Sequence, residues 1–358
     1  MKIGIVGLPN AGKSTLFNAL TSGGAPTGDY PFTTIDPNVA IVAVPDRRLE
    51  RVAATVRSSS VVQETIGFHD IAGLVPGAST GEGLGNRFLG AIRETDAICH
   101  VVRAYAADDV PHPEGRVDPG SDIDLVETEL YAADLEQAER RLERVTKQAR
   151  SLDAKAVAER DWLAAVVDAL GAGHPAREVP VPKAAAQAPG RLNALTSKPV
   201  LYVANVEEGI DEIPASVASH ARSADAAAVA ISARVESELG EIADPDEAAE
   251  LRAELGVSES GLARVIRASW ELLDLIAFFT AGEDKEAMAH ALRSGSSAYE
   301  AAGKVHTDIQ AGFVRAEVVG WEQLVSAGGY SQARTAGTLR TEGRDYIVRD
   351  GEVLTIKC

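Results

Sequence analysis

Residues 7–15 read GLPNAGKST, which sets Gly7, Gly12, Lys13 and Ser14 in the order G-x-x-x-x-G-K-[ST] between the apolar run 3–6 and a helix-like stretch. That context is what a phosphate-binding loop needs. Backbone N–H groups point inward at the phosphates, the glycines permit close approach, and the following helix adds its positive N-terminal end. In such a loop Lys13 reaches the β- and γ-phosphates, and the Ser14 hydroxyl sits on Mg²⁺.

Other segments narrow the chemistry from phosphate binding to a switch. In Pro31-Phe32-Thr33-Thr34, Thr34 offers a hydroxyl to complete Mg²⁺ coordination and sense the γ-phosphate. Asp70-Ile71-Ala72-Gly73 forms D-x-x-G, whose carboxylate holds Mg²⁺ through water and whose Gly73 N–H meets the γ-phosphate. Leu74 follows, where many such proteins carry a glutamine that orients water. Hydrolysis must use another group, and turnover well under ~1 s⁻¹ is expected.

The base is read further along. A guanine site uses N-K-x-D, which occurs nowhere in the chain; Asn205-Val206-Glu207-Glu208 stands in its place. Guanine's donors would be poorly paired there, at a cost of about 1–3 kcal/mol. An asparagine amide and backbone groups near Val206 suit adenine, so ATP is expected, with GTP as the rival. Ser232-Ala233-Arg234 takes the place of the weaker fifth segment on the base side.

Apolar runs at 3–6, 39–44, 61–68, 97–102, 200–204 and 226–231 place these motifs at strand ends, with helix-length segments between several of them. The alternation predicts an α/β fold with a mostly parallel sheet and helices on both faces. The gap between the fourth and fifth runs far exceeds a loop. Within it Tyr131, Leu135, Ala138, Leu142, Val145, Ala149 and Leu152 step by four and three, a heptad seam. A second stretch, 154–170, carries Leu163, Val166 and Leu170 on one face, so a helical hairpin is expected. Residues 261–279 read as an amphipathic helix, and short strands follow, with Asp350-Gly351 between alternating runs as a hairpin signal. The expected division is 1–120 and 196–277 for the nucleotide domain, 121–195 for the insert and 278–358 for a strand-rich module.

A net charge of −18 argues against broad binding to DNA, RNA or anionic membrane, so any RNA contact must be local. Arg140, Arg141, Arg144, Lys147 and Arg150 crowd one segment and are the candidate edge. Cys99 and Cys358 are too few for a disulfide framework or a cysteine metal site. Without a run of 18 apolar residues, and with a strand and phosphate loop at the start, a cytoplasmic location is expected.

GLPNAGKST, PFTTIDPN, DIAGLV, HVVRAY from His100, NVEE, ISARVE, HTDIQAGFVRAEV and DYIVRDGEV together resemble the Obg-like ATPase family of YchF type, in order over essentially the whole chain. The resemblance implies a G domain, a coiled-coil insert and a C-terminal TGS domain with a β-grasp fold. It also implies preference for ATP and association with ribosomes in translation control or stress responses. Carried over residue by residue, it puts the phosphates on Asn10, Ala11, Gly12, Lys13, Ser14 and Thr15, and Mg²⁺ on Ser14 and Thr34. Adenine falls on Asn205, Val206 and Glu208, and the hydrophobic residue replacing glutamine on Leu74. The catalytic histidine falls on His112, whose neutral imidazole would orient or activate water. By analogy with related potassium-activated switches, Asn10 is a candidate K⁺ ligand. Redox-regulated members carry cysteine where this chain has Thr33, so redox control there is not expected. Two other readings stay open: an ATP-dependent adaptor in which hydrolysis is incidental, and a guanine-specific translation GTPase.

Overall fold

The computed structural model describes residues 1–23, 38–71, 84–107, 110–149, 153–242, 244–255 and 259–358. Its strands are β1 (Lys2–Val6), β2 (Val39–Val44), β3 (Ser60–Val62), β4 (Glu64–Asp70), β5 (Ala97–Ala104), β6 (Val200–Val206), β7 (Ala227–Ile231), β8 (Leu275–Thr280), β9 (Glu286–Arg293), β10 (Arg315–Gly320), β11 (Arg340–Glu342) and β12 (Glu352–Lys357). The helices that matter here are α1 (Lys13–Gly23), α2 (Arg47–Val56), α3 (Leu84–Arg93), α4 (Pro119–Ala149) and α5 (Ala154–Gly171).

Chain packing divides the molecule into two compact units, 1–42 with 67–272, and 43–66 with 273–358. In the first, a sheet runs β2-β4-β1-β5-β6-β7. β1 is parallel to β4 and β5, β5 to β6, and β6 to β7. Ile3, Ile5 and Val6 are fully buried, as expected of a central strand covered on both faces. Registers Ile5↔Asp70 and Arg103↔Asn205 bring the motif-bearing strand ends to one edge. That edge, beyond the carboxyl ends of parallel strands, is where such sheets bind ligands.

The insert is a helical hairpin. Ala138, Val145, Trp162, Leu163, Val166 and Leu170 form its core, with Tyr131, Leu135 and Leu142 packed against it. Of the heptad seam, Ala138, Val145 and Ala149 are buried and Tyr131, Leu135 and Leu142 partly buried; Leu152 lies outside the described residues. Asp134, fully buried in α4, accepts from Leu195 N at 2.9 Å, Thr196 N at 2.8 Å and Thr196 Oγ1 at 2.8 Å. It thereby ties the hairpin's exit to the approach of β6.

The basic run on α4 is less available than its composition suggests. Arg141 turns inward to Glu159, with Nε to Oε1 at 2.9 Å, and Arg191 takes the other carboxylate oxygen at 2.8 Å. Arg140 pairs with Glu136 and Lys147 with Glu143 on their own helix, while Arg144 is exposed. Arg150 lies outside the described residues.

The second unit holds a sheet in the order β11-β10-β12-β8-β9-β3. The apolar run 61–68 is thus not one strand. β3 pairs in parallel with β9, Val61 opposite Ala287, whereas β4 belongs to the other sheet. The break falls at Gln63, whose Oε1 accepts from Asp46 N at 3.2 Å. The expected Asp350-Gly351 hairpin does not form either, since β12 pairs with β10 and β8, and residues 346–349 form no strand, Ile347 making an isolated bridge to Ser297. The Asp350 carboxylate instead accepts from Ala277 N at 2.9 Å and pairs with Arg48, and Gly351 takes φ 77°. The helix expected over 261–279 stops at Leu272 and yields to β8.

Candidate nucleotide site

The loop after β1 depends on glycine at two points. Gly7 has φ 152°, and a Cβ there would lie 2.3 Å from Val101 O; Gly12 has φ 95°, and a Cβ would lie 2.1 Å from Asn205 Nδ2. Asn10 also takes a left-handed φ of 62°, tolerated by asparagine better than by most residues. Ala11 N donates to Leu8 O at 3.3 Å and Leu16 N to Gly12 O at 2.9 Å, which leads the loop into α1.

Lys13 is 7% exposed, and its Nζ donates to Leu8 O at 2.8 Å. Burial pushes its pKa down to about 8, opposed by the nearby Asp70 charge. An ammonium kept this dry gains most from an incoming phosphate. Ser14 Oγ donates to Asp70 Oδ2 at 3.3 Å, so two of the three expected Mg²⁺-side residues adjoin. The pair is all oxygen, as a hard cation requires. Thr34, the third, lies outside the described residues, as do Thr33, Gly73 and Leu74.

Asn205, 5% exposed, bridges two segments: Nδ2 donates to Ala11 O at 3.1 Å, and Oδ1 accepts from Ala233 N at 3.0 Å. Its amide thus holds the phosphate loop to the start of the helix Ala233–Gly240. Ser232 caps that helix through its backbone position, without a side-chain capping bond. Glu208 is held by Arg234 at 3.0 Å, and Val206 is buried at the end of β6.

The segment after β5 docks on the same loop. Asn10 Nδ2 donates to Pro111 O at 3.0 Å, and Tyr105 OH to Asn10 O at 3.2 Å. Buried Arg103 supports this segment from below, donating from Nε to Tyr105 O at 3.2 Å and from Nη2 to Val110 O at 2.9 Å. His112 is not a solvated loop histidine: its side chain is 5% exposed, and Nε2 lies 2.8 Å from Oδ2 of Asp122. Its Nδ1 accepts from Glu114 N at 3.1 Å.

The structure therefore brings together Asn10 to Thr15, Asp70, Asn205, Ser232 and the His112 segment at one edge of the sheet. Arg103, Tyr105 and Asp122 were not singled out from sequence. Arg103 and Tyr105 lie within HVVRAY, which was a signal; an aspartate in the first turn of a helix gives none, because the helix dipole alone accounts for it.

Residues 2–149 match the family described as 50S ribosome-binding GTPase. Residues 275–358 match the YchF-GTPase_C family, a domain described as of unknown function. The chain is similar to the ribosome-binding ATPase YchF of Bacillus subtilis (strain 168), 46% identical over 359 residues covering 98% of this chain and 97% of the relative. With the protein of the same description from Escherichia coli O157:H7 it shares 45% over 356 residues, 99% of this chain and 98% of that one. The solved structure of the Schizosaccharomyces pombe YchF GTPase superposes with a TM-score of 0.88 at 34% identity, covering 100% of this chain and 97% of that one.

Proposed function

This chain belongs to the YchF family, and from that premise we propose that it is a Mg²⁺-dependent ATPase switch that associates with the ribosome. The observation that carries the reading is the docking of Pro111, next to His112, on Asn10 of the phosphate loop. It sets the backbone next to a base-competent residue against the phosphate loop, which supports a role for that residue in hydrolysis.

Backbone N–H groups of residues 10–15 and the Lys13 ammonium would hold the β- and γ-phosphates. Ser14 and Thr34 would ligate Mg²⁺ directly and Asp70 through water, and the ion supplies charge neutralisation on the phosphates. Gly73 N–H would meet the γ-phosphate. Leu74 cannot orient water, so that task falls to His112 acting as base. In the arrangement described, both His112 nitrogens are engaged, which fits slow intrinsic turnover. Asn205 serves as a strut, and the base edge falls to backbone near Val206, to Glu208 and to Ser232. Without N-K-x-D, this arrangement favours adenine. A K⁺ ion beside the phosphates would use Asn10 Oδ1 while Nδ2 keeps Pro111. Equal turnover in KCl and NaCl would remove it.

Ribosome association is proposed from the names of the relatives. The exposed Arg144 and the C-terminal unit are the surfaces offered for it. Among the described residues no helix is long and apolar enough to cross a membrane, and a ribosome partner fits work in the cytoplasm. Titration calorimetry with nonhydrolysable ATP and GTP analogues, each with Mg²⁺, tests the nucleotide reading. A preference of about tenfold for ATP, ~1.4 kcal/mol, is expected; equal or GTP-favoured binding overturns it in favour of a guanine switch. Pelleting with ribosomes at moderate salt tests the partner.

A further inference from the structure

We propose that Asp122 is a positioning residue for hydrolysis: it fixes His112 as the Nε2–H tautomer and faces the imidazolium formed when Nδ1 takes a proton from water. The inference rests on the reading of His112 as the base.

The tautomer follows from the partners. A backbone N–H can only donate, so the Glu114 N–H leaves Nδ1 of His112 without a proton. The ring proton is therefore on Nε2 and points to Asp122 Oδ2 at 2.8 Å. Histidine and aspartate side chains are 5% and 4% exposed, so the pair is shielded from water. Among the described residues Nδ1 is engaged only by a bond two residues along the chain, in an exposed turn where Gly115 has φ 67°. Opening that one local bond frees the lone pair while Asp122 still holds the other end of the ring.

Asp122 is also a half-satisfied carboxylate. Among the described residues its Oδ1 is buried with no hydrogen-bond partner, an arrangement that costs stability when it serves structure alone. A cation formed on the neighbouring ring would recover part of that cost. The carboxyl lies in the first turn of α4, where the helix dipole favours an anion. Burial raises its pKa, against the influence of His112. Apart from His112, the charges that act on it are Arg116 and Asp118 from the preceding turn, and these pair with each other at 3.3 Å.

The step balances. Water oxygen forms the bond to the γ-phosphorus as the bridging P–O bond breaks, and the electron pair leaves on the ADP oxygen. The water proton goes to Nδ1, giving an imidazolium opposite the Asp122 carboxylate, and passes to solvent as product leaves.

The test uses the full chain with ATP and Mg²⁺, comparing wild type, Asp122→Asn, Asp122→Glu, His112→Ala and the double variant Asp122→Asn/His112→Ala. Turnover is measured against pH, and binding of a nonhydrolysable ATP analogue is measured in parallel. Asp122→Asn should lower kcat by about tenfold or more with analogue binding kept. Its acid limb should move to lower pH, because an imidazolium without its anion loses its proton more readily. Asp122→Glu should recover part of the rate with the limb in place, and the double variant should be no slower than His112→Ala. A normal rate and profile in Asp122→Asn, with His112→Ala inactive, overturns the proposal and leaves the base reading standing. An equal further loss in the His112→Ala background, or an Asp122→Glu that regains binding without rate, overturns it as a structural effect. Unchanged turnover in His112→Ala defeats the base reading itself.

Discussion

Asn205 lies directly on Gly12: its Nδ2 occupies the place a Cβ would take, 2.1 Å from that position, and reaches Ala11 O at 3.1 Å. The residue expected to read the base is thereby a brace between the phosphate loop and the helix that begins at Ala233.

Replacing that brace separates the two roles. Asn205→Ala removes two buried hydrogen bonds and should cost about 1–3 kcal/mol of stability. It should weaken binding of ATP, GTP and inorganic tripolyphosphate alike. Loss confined to ATP, with tripolyphosphate unaffected, would return Asn205 to base reading. Calorimetry with the three ligands decides.

The Lys13 ammonium makes phosphate binding pH-dependent. Its pKa in the free protein is depressed to about 8 by burial, and bound phosphate should raise it. The charged form binds, so affinity should hold below pH 8 and fall above it, by up to tenfold per unit. Near pH 8 binding should take up a fraction of a proton, read from heats in buffers of different ionisation enthalpy. A flat affinity from pH 7 to 9.5 would contradict this.

Turnover of His112→Ala should fall by about 10²–10⁴-fold with analogue binding kept. Asn10→Ala, which releases Pro111 but leaves the imidazole intact, should give a smaller loss. The ordering of the two rates at saturating ATP is the measurement, and a greater loss in Asn10→Ala would move the chemistry from the ring to the loop.

His100 predicts acid lability. It is buried in β5, where desolvation lowers its pKa to about 4 from 6.5. The unfolded chain takes up the proton first as pH falls. The stability contribution is complete above pH 6.5 and is lost progressively toward pH 4, amounting to about 3 kcal/mol there. His100→Gln should flatten denaturation midpoints between those pH values. An unchanged slope would assign acid unfolding to other groups, His290 among them, also lowered to about 4 by burial.

Much of this was legible because it is local. The phosphate loop is contiguous, D-x-x-G ends a strand, and the heptad seam repeats within one helix. What stayed hidden depends on residues distant in sequence. Nothing in Val61 or Val62 announces Ala287 and Met288 as strand neighbours, so a split between two sheets looked like one strand. Asp350-Gly351 carries a hairpin signal, yet the aspartate is engaged by Arg48 and Ala277. The basic run on α4 looked like one charged face until Glu159, on the other helix, drew Arg141 inward. His112 and Asp122 are ten residues apart, and their meeting depends on how the turn between them folds.

The second sheet also sets the unit of inheritance. Residues 273–358 alone would leave β9 without its neighbour β3, a bare row of N–H and C=O groups that invites pairing with other chains. They would also lose α2, whose Leu49, Val52, Ala53 and Val56 are buried. A recombination event that exchanged only the C-terminal stretch between two relatives would join β9 to a foreign β3. Successful exchange would have to carry 43–66 with it, so two separated pieces of gene would have to travel together for the unit to stay whole.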